Sequence, residues 1–373
     1  MADGVLNEIE VEGYTSIEHA TIRLGSLNVL VGANGAGKSN FIRALELLGR
    51  IADAELGLFV GLNGGASALL NRKASDRGIK LRLDGAKNGY EALLVPAAND
   101  ELIFLSETVA FRGAGHLKPY TKLLGRGHRE SRLLEAGGDG PSVASYVLDL
   151  LHDCRVFHFH DTSRDAPVKQ LVPTADNLAL RNNAGNLAAV LLALRDHDDT
   201  ASRAAYRRIL AAIRQVAPFF RDFVLAPEAG DRIRLRWRQT DSDAVFSADQ
   251  MSDGTLRFVC LATLLLQPNL PALLVLDEPE LGLHLYAIVQ LAGLLRQAAT
   301  RSQVLLATQS VTLMNQFQID DLIVVERVDG NSVFSRPDRE RLSAWLSEYS
   351  LGELWEKNLI GGRPGAGGTS LHG

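Results

Sequence analysis

The run Gly32-Ala33-Asn34-Gly35-Ala36-Gly37-Lys38-Ser39 constrains this chain more than any other feature. It fits a pattern of glycine, four free positions, then glycine, lysine and a hydroxyl residue. In that pattern backbone amides wrap phosphate groups, the lysine reaches the outer phosphates and the hydroxyl holds Mg²⁺. Glycines are needed because the backbone must approach the phosphates closely and turn through positive φ. A chance glycine-rich turn is the competing explanation, and the context argues against it. An apolar run, Leu27 to Val31, precedes the loop, and an amphipathic segment, Asn40 to Leu48, follows it. Strand, loop, helix is the order such chemistry requires. Gly32, Asn34, Gly35, Ala36, Gly37, Lys38, Ser39 and Asn40 are the candidate nucleotide contacts, with Ser39 also a magnesium ligand.

Far downstream, Leu273-Leu274-Val275-Leu276-Asp277-Glu278 is an apolar strand ending in two carboxylates. Asp277 suits the magnesium shell. Glu278 suits polarisation of an attacking water, because phosphoryl transfer depends mostly on positioning and charge neutralisation. The alternative is a buried strand that simply ends in a polar turn. Between loop and carboxylates, Met251-Ser252-Asp253-Gly254-Thr255-Leu256-Arg257 leads into a predicted helix, Leu256 to Leu266. A helix N-terminus with a hydroxyl and open amides is an anion site, which makes Ser252 and Gly254 candidates; helix capping by Ser252 is the plainer alternative. Further on, the run Val304 to Thr308 reads as a strand, followed by Gln309.

The order of these pieces, with a long insertion in the middle, resembles the SMC/RecF/OLD-like branch of ABC-type P-loop ATPases. Within that branch the chain looks like a stand-alone predicted-ATPase (AAA family ATPase). The likeness is carried by His158-Phe159-His160-Asp161-Thr162-Ser163, by Met251 to Phe258 and by Leu351-Gly352-Glu353-Leu354-Trp355-Glu356-Lys357-Asn358. The resemblance implies an α/β fold, an ABC-type P-loop ATPase head with an inserted mixed α/β lobe. It also implies ATP and Mg²⁺ as cofactors, hydrolysed at the seam of a head-to-tail homodimer, where Ser252 and Gly254 grip the γ-phosphate bound to the partner subunit. Glu280 to His284 then stands where a D-loop would. Gln309 takes the place of a switch histidine; glutamine can hydrogen-bond a phosphate or water but cannot carry a proton charge. OLD-type relatives add a Toprim nuclease, for which the stretch past Gln309 is too short. Such ATPases often serve DNA repair, chromosome maintenance or phage defence.

Composition sets the wider limits. At 373 residues with 46% hydrophobic content the chain can bury a large core. A net charge of -5 provides no overall drive toward nucleic acid or anionic membrane, so any such contact must be a local patch. Two cysteines far apart, Cys154 and Cys260, point to a reducing compartment and no zinc site. With no leader-like start and no apolar run able to span a bilayer, the reading is cytoplasmic.

The motifs divide the chain into 1–112, carrying the loop and an antiparallel β meander over Ile79 to Arg112; 113–245, an inserted lobe; 246–360, carrying the remaining motifs; and a flexible tail, 361–373. Short strands are expected at Ile9 to Val11 and Thr21 to Leu24, with a turn region from Gly13 to Glu18. Gly113 to Gly140 reads as loop, and helices are expected at Val143 to Leu151, Asn186 to Arg195 and Ser202 to Val216. No heptad is sustained, which argues against a coiled-coil arm.

Two weaker signals remain. His158 and His160 share one face of an apparent strand with Asp161 next in line, a set that suits either a divalent metal or a structural or nucleotide-sensing polar cluster. Arg232, Arg234, Arg236 and Arg238 alternate with Ile233, Leu235 and Trp237, giving a strand with one face of four arginines. Such a face can bind a phosphate backbone, or it can be a solvated face paired with Asp222, Glu228 and Asp231. On the first option the protein is an ATP-gated DNA-acting protein working with a separate effector; on the second it is a nucleotide-dependent switch or scaffold for a protein partner. A transporter subunit fits poorly, because the helical lobe is too large.

Overall fold

Alternating burial at the start of the chain makes two paired strands, Leu6–Tyr14 and Ile17–Arg23, with Ile9, Val11 and Tyr14 inside and Glu8, Glu10 and Glu12 toward solvent. The computed structural model describes residues 5–73, 78–113, 120–138 and 140–362. The expected turn region shrinks to Thr15 and Ser16, because Thr15 adopts a left-handed φ of 48° and reverses the chain in two residues. Contacts divide the chain into two units, Met1–Cys154 with Ala307–Gly373, and Arg155–Leu306. This division follows packing and does not fall at 112/113 and 245/246, where the motifs change.

In the first unit the opening pair extends into a six-stranded antiparallel sheet, ordered Ile17–Arg23, Leu6–Tyr14, Ile79–Gly85, Asn88–Pro96, Leu102–Phe111, Tyr120–Gly125. The meander read over Ile79 to Arg112 is thus present. Register places Val11, Leu81 and Ala92 side by side on the buried face, and helices Lys38–Ala52 and Val143–His152 pack against the sheet. The region expected as loop holds the edge strand Tyr120–Gly125 and a short helix, Leu133–Gly137. That strand buries none of its residues, so it has no apolar alternation to betray it, and backbone pairing to Leu102–Phe111 holds it. Elsewhere in this unit, Leu27–Val31 lies parallel to Leu322–Val328, with Val29 opposite Leu322, and Leu322–Val328 pairs antiparallel with Asn331–Ser335.

In the second unit, Leu273–Asp277 lies between the strands Gln303–Thr308, which belongs to this unit up to Leu306, and Cys154–Phe157, which belongs to it from Arg155. Helices Leu187–Asp196, Thr200–Val216, Asp253–Leu266 and Leu285–Ala298 pack against one another. Asp253–Leu266 is buried on nearly every face, as its unbroken run from Phe258 to Leu266 requires, whereas Thr200–Val216 buries a single stripe of Ala205, Tyr206, Ile209, Leu210 and Ile213. At 17 residues Thr200–Val216 is the longest helix among the described residues, so none of them forms a long coiled-coil arm. No helix is long and apolar enough to cross a membrane.

The single arginine strand expected over Arg232 to Arg238 is two. Arg232–Ile233 pairs with Val172–Pro173, and Arg236–Gln239 pairs with Phe220–Phe223 and Val245–Ser247. Alternation survives the break, since Ile233, Leu235 and Trp237 are all buried, but the chain changes pairing partners at Arg234 and Leu235. Likewise the strand into the histidines ends at Phe157, while Phe157 and Phe159 stay buried. Of the stretch expected as a tail, Gly362 is held, its amide donating to Glu326 and its carbonyl accepting from Ala33, and 363–373 lie outside the described residues.

Candidate active site

In the first unit, buried Leu27–Val31 delivers the chain into the glycine loop, and helix Lys38–Ala52 carries it away. Three glycines make the loop possible for three different reasons. A Cβ on Gly32 would lie 2.2 Å from the Val325 carbonyl oxygen, so the loop can only enter this close to Leu322–Val328 without one. Gly35 turns through φ 75° with open space around it. Gly37 takes φ 116°, and a Cβ there would strike Ser332 Oγ at 2.0 Å.

Polar contacts then hold the loop from outside. Ser332 Oγ donates to the Ala36 carbonyl at 2.6 Å and shares a hydrogen bond with Ser16 Oγ at 2.7 Å. Arg327 donates to the Gly35 carbonyl at 3.2 Å, and the Ala33 amide donates to the Gly362 carbonyl at 2.8 Å. Asn40, read as a nucleotide contact, has its carboxamide on Ser16 Oγ at 2.7 Å, which places that group in the loop's support. None of these supports carries a local sequence signal.

Asn34, Gly35 and Ser39 are exposed, whereas Ala36, Gly37 and Lys38 are buried. Lys38 Nζ donates to the Gly32 and Ala33 carbonyls, at 2.7 and 3.1 Å. Helix Lys38–Ala52 begins at Gly37 with no side-chain cap and no acidic residue in its first turn. An N-terminus left without a side-chain acceptor, with a lysine and a hydroxyl beside it, is the donor set a polyphosphate needs, so the residues fit a nucleotide.

In the second unit, Leu273–Asp277 is buried up to Leu276, and Asp277 and Glu278 emerge half-buried at its end. Glu278 has φ 41°, a left-handed backbone that a non-glycine residue holds only when its surroundings impose it. The turn that follows is closed by Leu281 N to Glu278 O at 3.1 Å and Leu283 N to Glu280 O at 3.0 Å. Ser252 is exposed and caps Asp253–Leu266, accepting from the Thr255 amide at 3.3 Å. Capping is therefore realised, and the hydroxyl remains on the surface. Gly254 lies against that turn, where a Cβ would meet the Gly282 carbonyl oxygen at 2.5 Å.

A cleft in this unit is lined by His160, Arg257, Asp277, Glu278, Pro279 and Leu281. His160 is half-buried, and burial pushes its pKa below the usual histidine value against the opposing pull of Asp277. His158 stands 6.3 Å away, ring to ring. Among the described residues His158, His160 and Asp161 do not converge as a three-ligand metal cluster, and Asp161 instead accepts from the Ser163 amide. Gln309 follows Gln303–Thr308 and is half-buried. Arg257, which sequence reasoning carried only as part of a motif, is the cleft residue that reading missed.

Of the four arginines, Arg232 donates to the Leu171 carbonyl at 2.8 Å and Arg236 to the Ala226 carbonyl at 2.9 Å, while Arg234 pairs with Glu228 at 3.1 Å. Arg238 is exposed.

Comparison with solved structures identifies the fold. An SMC head bound to the C-terminal winged-helix domain of ScpA matches with a TM-score of 0.53 and 16% identity, over 91% of this chain and 99% of that one. An SMC head with an extended coiled coil, bound to the C-terminal domain of ScpA derived from Pyrococcus furiosus, matches with a TM-score of 0.52 and 15% identity, over 92% and 99%. The protein has the fold of an ABC-type P-loop ATPase head of the SMC kind. No curated protein matches the chain. The family model described as AAA domain, putative AbiEii toxin, Type IV TA system matches residues 27–102 and 145–315, and the chain belongs to that family of nucleotide-binding ATPases.

Proposed function

We propose that the protein binds Mg-ATP on the glycine loop and hydrolyses it as a head-to-tail homodimer. The observation that carries this reading is the loop itself, with Gly37 pressed on Ser332 and an uncapped helix N-terminus behind it. The loop amides and Lys38 would hold the phosphates, and Ser39 and Asp277 would hold the magnesium. When bound, that ion would offset phosphate charge. Glu278 orients water and takes its proton, Gln309 hydrogen-bonds the outer phosphate, and Ser252 with Gly254 receives the phosphate of the nucleotide on the partner subunit. Glu278→Gln keeps the shape and removes the base, so this variant should accumulate as an ATP-dependent dimer. Light scattering with no ATP-dependent rise in mass would sink the sandwich arrangement.

Downstream of the ATPase, our reading is a cytoplasmic nucleotide-dependent switch acting on a separate protein partner. The arginine face favours this over DNA action, since Arg232, Arg234 and Arg236 are engaged by backbone carbonyls and Glu228. DNA maintenance or phage defence through DNA contact is the second reading, supported by the exposed positions of Arg232, Arg234 and Arg238.

A further inference from the structure

We propose that Arg257 is a positioning residue that sets the turn after Glu278. Its guanidinium donates through Nη1 to the Leu281 carbonyl at 2.8 Å and through Nη2 to the His160 carbonyl at 2.8 Å. One side chain on helix Asp253–Leu266 thus ties together the turn Glu278–Leu283 and the His158–Ser163 run. Two glycines make room for it. Gly282 has φ 76°, and a Cβ there would meet Arg257 Nη1 at 2.5 Å; Gly254 brings the start of the helix against the Gly282 carbonyl. Glu278, in its left-handed backbone, is thereby held between its own strand and a turn fixed by Arg257. The planar fork matters, because a lysine ammonium reaches one carbonyl as a point charge and leaves the other without its donor. Arg257 acts on the chemistry through the placement of Glu278.

This inference rests on Glu278 as the water-activating residue, and the experiment separates the two. Arg257→Ala and Arg257→Lys would be compared with the parent in four measurements: affinity for a fluorescent ATP analogue, turnover at saturating ATP, melting temperature and amide hydrogen exchange. ATP affinity should stay within about twofold while kcat falls by roughly 10–100-fold in both variants, the split expected when placement is lost and binding is not. The Leu281 and Leu283 amides should exchange about tenfold faster, while those of Val259 and Leu264 in the helix core keep the parent rate. Unchanged turnover and unchanged exchange would overturn the assignment, as would a loss of melting temperature matched by faster exchange throughout the helix. A parent without turnover would sink the role of Glu278 alone, and the exchange measurement would still decide the role of Arg257.

Discussion

The glycine loop of the first unit and the carboxylate turn of the second are held in different ways. Around the loop, the supports arrive from the far end of the chain: Ser332 reaches Ala36 across 296 positions and Arg327 reaches Gly35 across 292. Around the carboxylates the support is nearer, with Arg257 and Leu281 only 24 positions apart and the turn closing on its own backbone. Both follow a buried strand, but the loop is braced by side chains from far along the sequence, whereas the turn is braced by its own backbone and by Arg257. Perturbing a distant support should therefore disturb the loop and leave the turn alone.

The largest effect is expected where the loop meets its ligand. On the proposed reading Lys38→Ala removes the cation that would face the phosphates, and ATP turnover should fall by roughly 10²–10³-fold with the fold intact, as for loss of one key electrostatic donor. Steady-state hydrolysis with circular dichroism checks both halves of that statement, and parental activity would remove the loop assignment. Next comes Gly37→Ala, which combines left-handed strain of ~1–3 kcal/mol with a contact at 2.0 Å. ATP should bind at least ~10-fold more weakly, while Gly35→Ala, in open space, suffers the strain alone and should lose roughly fivefold. Equal losses in a calorimetric titration would show that contact with Ser332 does not matter.

Ser332→Ala tests the distant support directly. It deletes hydrogen bonds to Ala36 and Ser16 and should destabilise by about 1–3 kcal/mol, weakening ATP binding with amide exchange at Leu281 and Leu283 unchanged. If the turn loosened as well, the two regions would not be independent. The smallest effect is expected outside both. Replacing Arg234 and Arg236 with Glu should leave ATPase activity and dimerisation at parental levels. Fluorescence anisotropy on the ATP-bound Glu278→Gln form should detect no DNA affinity at low or physiological salt. Binding that falls steeply with salt and is lost on charge reversal would revive the DNA reading.

What the chain spells locally was legible: the glycine loop, the apolar strand ending in Asp277 and Glu278, the alternating meander and the helix behind Ser252. Each is a matter of residue spacing and periodicity, which are properties of the chain itself. The exposed strand Tyr120–Gly125 was not, because it buries no side chain and depends on its neighbour's backbone, and neither was the break at Arg234 and Leu235, which is a change of pairing partner. Ser332, Arg327, Gly362 and Arg257 became visible only in the folded molecule. A hydrogen bond to a backbone carbonyl, whether 24 positions away as for Arg257 and Leu281 or 296 as for Ser332 and Ala36, leaves no pattern in the sequence, because the acceptor is present at every residue and only tertiary packing decides which one is reached.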